Sequence, residues 1–183
     1  MRYRRALDKM EPYTPGKKRP GAVKLSSNEN PLGPSPKAVE AVERVLAELH
    51  VYPDGGATEL REALARKHGL AAEQIVVGNG SDEVLTLAAA SLIEPGDNGV
   101  TAAHTFSQYA FATRLYGGEA RFAPMEAGRF DLDALLEETS ERTRILFVCN
   151  PNNPTGTYVS HEELTAFLRK VPRDRLVILD EAY

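Results

Sequence analysis

The sequence predicts an α/β fold, a mostly parallel sheet with helices on both faces. Three observations carry that prediction. From about residue 74 onward, short continuously apolar runs alternate with stretches of helical period. Runs without polar alternation belong to strands covered on both sides, and intervals of helix length between them fit parallel crossovers. Finally, the most particular polar strings come directly after apolar runs, at the carboxyl ends of strands, where open α/β sheets bind ligands.

The elements follow in order. Residues 1–34 read as an irregular N-terminal arm, because Pro12, Pro15, Pro20, Pro31 and Pro34 prevent any long helix. Residues 35–183 read as the α/β domain. Ser35 as cap and Pro36 at the first helical position open a helix whose Val39, Val42, Val45, Leu46 and Leu49 share one apolar face. Tyr52-Pro53-Asp54-Gly55-Gly56 is a turn, and Thr58 opens a second helix that closes near Gly69.

Gln74–Val77 is then expected as a short buried strand, Ser81–Ile93 as a helix and Asn98–Ala102 as a weak strand. A helix over Ser107–Tyr116 ends at Gly117-Gly118 and leads to a strand over Glu119–Ala123. Asp131 caps a helix through Glu138, and Arg144–Cys149 is a strand. Ser160-His161-Glu162-Glu163 is a capping box that starts a helix to about Lys170, and Arg175–Leu179 is the last strand.

Composition excludes several classes of function. The 183 residues carry 22 Lys plus Arg against 26 Asp plus Glu, a net charge of −4 that gives no electrostatic reason to expect nucleic acid or an anionic membrane. The longest apolar run, Val84 to Ile93, is too short to span a bilayer. One cysteine, Cys149, rules out an intrachain disulfide framework and fits a reducing, cytoplasmic compartment; on an apolar strand it reads as packing. His50, His68, His104 and His161 have no metal-ligand spacing, and no metal is expected. The chain ends on apolar Leu176-Val177-Ile178-Leu179 followed by Asp180-Glu181-Ala182-Tyr183, an end expected of part of a longer protein.

Three strand ends carry candidate chemistry. After Gln74–Val77 comes Gly78-Asn79-Gly80-Ser81-Asp82-Glu83 and a helix start, a place for an anion such as phosphate, or simply a turn. After Arg144–Cys149 comes Asn150-Pro151-Asn152-Asn153-Pro154-Thr155-Gly156, a rigid loop expected to aim side-chain amides into the crevice. Asp180 leaves a fully apolar strand with no Lys or Arg beside it, so a ligand cation would meet its need for a partner.

These strings, with Ser27-Asn28-Glu29-Asn30-Pro31-Leu32-Gly33-Pro34-Ser35-Pro36 and Tyr52-Pro53-Asp54, resemble the fold type I pyridoxal phosphate (PLP) aminotransferases. Within that fold they are most similar to the histidinol-phosphate aminotransferase group, in the family's order from about Tyr13 to Tyr183. The resemblance implies that Gly80, Ser81 and Asp82 hold the cofactor phosphate, and that Asn153 and Tyr183 donate to the ring oxygen. It implies that Asp180 pairs with the pyridine nitrogen and that Phe106 stacks on the ring, where a core Phe is the alternative.

Tyr52 is implied to reach the phosphate of a neighbouring subunit, hence a homodimer with shared sites, and Tyr13 and Asn30 to lie on the substrate side. His104 stands where relatives usually have a proline; it either approaches the cofactor or is an ordinary loop histidine. The family's Schiff-base lysine follows the Asp-Glu-Ala-Tyr string at a distance, so none of the lysines present fits that role. The implied architecture is a partial PLP-binding large domain, incomplete at the C-terminus, in a fragment inactive by itself. Threonine-phosphate decarboxylases and other amino-acid aminotransferases share these strings and are the nearest alternatives. A non-catalytic sensing or dimerisation module is the alternative of another class.

Overall fold

Residues 3–10, 19–24 and 27–183 are described by the computed structural model. Six helices and six strands follow one another along them: α1 (Pro36–Val45), α2 (Thr58–His68), α3 (Gly80–Leu92), β1 (Asn98–Ala102), α4 (Gln108–Leu115), β2 (Glu119–Ala123), β3 (Met125–Glu126), β4 (Arg129–Phe130), α5 (Leu132–Glu137), β5 (Thr143–Cys149), α6 (His161–Lys170) and β6 (Leu176–Asp180). The chain divides into two compact units, residues 12–77 and residues 1–11 with 78–183.

In the larger unit four strands form an all-parallel sheet in the order β2-β1-β5-β6. Its centre is apolar because each central strand is buried on both faces: Val100, Ile145, Leu146 and Val148 are wholly enclosed. From β1 the chain steps to β2 on one side, and from β2 it returns past β1 to β5 and on to β6. Right-handed crossovers in opposite directions put α4 on one face and α5 and α6 on the other. The packing agrees, α3 lying against α4 and α5 against α6.

Close helix–sheet approach depends on two glycines. A Cβ on Gly99 would stand 2.6 Å from Thr113 Oγ1, and one on Gly118 would stand 2.6 Å from Ile93 Cγ2. The local start signals also act as expected. Asp131 accepts from the N–H groups of Asp133 (3.1 Å) and Ala134 (2.9 Å), and Ser160 and Glu163 complete a reciprocal box. Glu163 is also paired with the Arg129 guanidinium; that contact, with the Ser160 N–H, holds its carboxyl down at about 2.

In the smaller unit, the Asp54 carboxylate accepts from the N–H groups of Gly56 (2.9 Å) and Thr58 (2.8 Å) and so starts α2. The helix ends at Gly69 in the left-handed conformation, φ +66°. The apolar face of α1 is formed but is not enclosed within this unit: no α1 residue is buried.

One expectation needs correction. Gln74–Val77 is not a buried strand: it is the end of a 3-10 turn (Ala72–Gln74) followed by unpaired extended chain, with Val76 70% exposed. The reason is that a strand needs a ladder partner, whereas here Arg61 Nε donates to the Ile75 carbonyl (3.0 Å) and Nη2 to that of Ala72 (2.6 Å). A small antiparallel ribbon, β3 with β4, was not foreseen, because two-residue strands leave no period in a sequence.

Candidate active site at the carboxyl end of the sheet

Strand order changes direction between β1 and β5, so the switch point of this sheet lies beyond Ala102 and Cys149. The loops there are tied together. Asn152, 2% exposed, donates from Nδ2 to the His104 carbonyl (3.0 Å) and to Thr155 Oγ1 (2.7 Å), while its Oδ1 accepts from Thr105 Oγ1 (2.7 Å). Asn150 exchanges side-chain bonds with the backbone of Val159 (3.1 and 2.8 Å), and its own N–H donates to the Asp180 carbonyl (2.9 Å). Both Asn150–Pro151 and Asn153–Pro154 are cis.

Two of the loop's asparagine amides are thus engaged by neighbouring protein groups. Asn150 turns inward to satisfy the backbone of buried Val159, and Asn152 ties the His104 carbonyl to the Thr105 and Thr155 hydroxyls. Asn153 alone of the three reaches across the strand ends, its Nδ2 standing 3.3 Å from the Tyr183 hydroxyl.

Asp180 is the last residue of β6 and lies opposite Cys149 in the parallel register. Within the protein it is given two neutral hydrogen-bond donors and no cation. Oδ2 accepts from the Tyr109 hydroxyl at 2.7 Å, and Oδ1 accepts from the Ala182 N–H at 3.1 Å. Tyr109, on α4, is fully buried; its ring stacks on Phe147 (5.1 Å, 18°) and meets Phe106 edge-on (5.7 Å, 85°). Burial raises its hydroxyl pKa far above the ordinary tyrosine range, reinforced by the neighbouring Cys149 thiol and Asp180 carboxylate, so the group keeps its proton and stays a hydrogen-bond donor.

Sequence reasoning missed Tyr109. The clue was two unmet needs, a buried phenol requiring an acceptor and a strand-end carboxylate requiring a donor, but 71 residues separate them.

The start of α3 is shaped as a candidate anion site. Gly80 takes φ +76°, a conformation that side-chain-bearing residues rarely adopt, and Ser81 and Asp82 are exposed. First-turn N–H groups have no acceptor within their own helix. A short turn joins the far end of α3 to the start of β1, and α3 packs on α4 and β5; its N-terminus is thereby carried toward the carboxyl end of the sheet. Glu83 accepts from the Asn79 backbone N–H (2.6 Å) and Nδ2 (2.9 Å), which fixes the loop just ahead of the helix.

Asp180, Asn153 and Tyr183 are thus brought together, Phe106 is joined to them through Tyr109, and Gly80, Ser81 and Asp82 form the helix start. Tyr52, 97% exposed, and Asn30, whose Oδ1 accepts from the Leu32 N–H (2.9 Å), belong to the smaller unit. Tyr13 lies outside the described residues. His104 is exposed, and its carbonyl is engaged with Asn152.

A carboxylate held by neutral groups, an amide bonded to a phenol, an aromatic packed on Tyr109 and a helix start are the features that the resemblance implies for a flat ring with a protonated nitrogen, an anionic oxygen and a phosphate.

Known proteins match this chain in sequence and in fold. The histidinol-phosphate aminotransferase of Moorella thermoacetica is 47% identical across 98% of this chain and 49% of its own length. That of Halalkalibacterium halodurans is 47% identical across 95% of this chain and 50% of its own. Among solved structures, histidinol-phosphate aminotransferase from Sinorhizobium meliloti in complex with pyridoxal-5'-phosphate superposes with a TM-score of 0.82 at 29% identity, covering 86% of this chain and 43% of that one. Aspartate aminotransferase from Thermus thermophilus with maleate gives 0.72 at 29% identity, over 79% and 41%. The chain spans about half the length of the curated relatives it matches. Residues 20–183 match the family model for aminotransferase class I and II, and the chain belongs to that family.

Proposed function

We propose that this chain is the amino-terminal half of a PLP-dependent aminotransferase that exchanges the amino group of histidinol phosphate with 2-oxoglutarate. The observation that carries the reading is the strand-end cluster, Asp180 held by neutral donors beside Asn153 and Tyr183, in a chain 47% identical to proteins named for that activity. When bound, PLP supplies an electron-accepting ring that lets the substrate Cα–H bond break.

The residues of this chain bind and orient. Asp180 keeps its charge against the ring nitrogen, so that nitrogen stays protonated. Asn153 Nδ2 and the Tyr183 hydroxyl donate to the ring oxygen. The α3 start receives the phosphate, with backbone N–H groups and the Ser81 hydroxyl as donors. Phe106 covers a ring face and keeps water from it. The proton-shuttling lysine belongs to the other half of the protein, so these residues alone do not turn over substrate.

We further propose a cytoplasmic homodimer. Tyr52, almost wholly exposed, has the accessibility required of a side chain that serves a neighbouring subunit. The test is to offer purified full-length protein histidinol phosphate and 2-oxoglutarate and to follow glutamate formation. Absence of turnover there, with turnover on another amino acid or release of carbon dioxide from threonine phosphate, would replace the substrate assignment.

A further inference from the structure

We propose that Tyr109 is a positioning residue for the cofactor site: its hydroxyl aims the Asp180 carboxylate at the ring nitrogen without neutralising it, while its ring sets Phe106 against the ring face. The inference rests on the PLP reading and deepens it.

The argument begins with the choice of donor. A carboxylate that must stay charged for a ligand cation has to be held still, and an arginine or lysine would hold it best. Such a partner would also satisfy the charge and compete with the ligand. A phenol holds the carboxylate by one hydrogen bond and leaves its negative charge uncompensated. At 2.7 Å from Oδ2, the Tyr109 hydroxyl does this, while the Ala182 N–H takes Oδ1, and each oxygen keeps a further lone pair.

The phenol must also be fixed. Tyr109 is 0% exposed, stacked on Phe147 of β5 and edge-on to Phe106, so its hydroxyl has little freedom to leave the carboxylate. Because burial raises its pKa, it remains a donor throughout the neutral range. One side chain on α4 therefore sets two contacts that approach the ligand from different directions.

Tyr109→Phe removes the hydroxyl and keeps the ring, which separates the two roles. The experiment measures dissociation constants of the full-length protein, wild type and Tyr109→Phe, for PLP and for its 1-deaza analogue, in which a C–H replaces the ring nitrogen. Both are measured again in the Asp180→Asn background. We expect Tyr109→Phe to weaken PLP roughly tenfold, the scale of one hydrogen bond to a charged group, and to leave the 1-deaza analogue within about twofold. In the Asp180→Asn background the substitution should change neither.

Equal loss for PLP and the 1-deaza analogue would assign Tyr109 a merely structural role and overturn the proposal. Unchanged PLP affinity would overturn it as well, while leaving the cofactor reading intact. Failure of the wild-type protein to bind PLP would remove the cofactor reading itself, and the proposal with it.

Discussion

Replacing Asn152 by Ala separates what holds the site from what acts in it. The side chain makes three hydrogen bonds, to the His104 carbonyl, to Thr155 Oγ1 and from Thr105 Oγ1, at 3.0, 2.7 and 2.7 Å. At about 0.5–1.5 kcal/mol net for each, their loss amounts to roughly 2–4 kcal/mol. His104 and Thr155 are exposed and regain water when the amide is gone, so the cost falls at the lower end, about 2 kcal/mol. For a chain of this size that lowers the melting temperature by roughly 4–8 °C.

Asn153→Ala is the control. Its amide is partly exposed and, among the described residues, meets the Tyr183 hydroxyl at 3.3 Å, so the melting temperature should stay within about 2 °C. The assay is thermal unfolding of both variants without ligand, followed by PLP affinity. Asn152→Ala should lose stability first, and Asn153→Ala should lose affinity with stability kept. A melting temperature for Asn152→Ala within 1 °C of wild type would refute the inward, structural assignment of that amide.

Three further outcomes are expected. Gly99→Ala forces a Cβ to 2.6 Å from Thr113 Oγ1 and 3.1 Å from Phe147 Cε2 and should cost about 1–3 kcal/mol by denaturant unfolding; a neutral result would mean α4 can shift away from β1. Glu163 has its folded pKa lowered from 4.5 to about 2, so the stabilisation it gives is complete above the unfolded value and fades as pH falls toward 2. The difference in melting temperature between wild type and Glu163→Gln should therefore shrink between pH 6 and pH 2, and a constant difference would refute the ion-pair assignment. Asp180→Asn should lower turnover of the full-length enzyme on the order of a hundredfold while the ligand-free protein melts no lower than wild type; near-normal turnover would remove Asp180 from the cofactor site.

What was legible in the sequence was local. Ser160 and Glu163 cap α6 through bonds spanning three residues, and Asp131 caps α5 in the same way, so their spacing alone announces the geometry. The central strands were legible because burial on both faces demands unbroken apolar runs. Gln74–Val77 has the same apolar appearance, but strand formation depends on a neighbour, and Arg61 and a 3-10 turn take its backbone groups instead. The asparagines of the 150–156 loop were legible as a rigid set but not individually. Which amide faces inward depends on where Val159, His104 and Thr105 lie, and those contacts come from other segments. Tyr109 was the hardest, a helix aromatic whose partner sits 71 residues on.

The same distinction explains how the site is held ready. Each group proposed to face the ligand is backed by a residue held inside the protein: Asn153 by the Asn152 and Cys149 contacts that pin its loop, Asp180 by Tyr109, and Phe106 by the edge of the Tyr109 ring. The backing residues satisfy their hydrogen bonds inside the protein and so contribute to stability in the ordinary way. Asp180 does the reverse. It is half-buried, and no Lys or Arg among the described residues forms an ion pair with it. A carboxylate in that position costs desolvation energy that two neutral hydrogen bonds only partly offset. On the proposed reading, a cationic ring bound at this strand end would supply the partner that the two neutral donors do not.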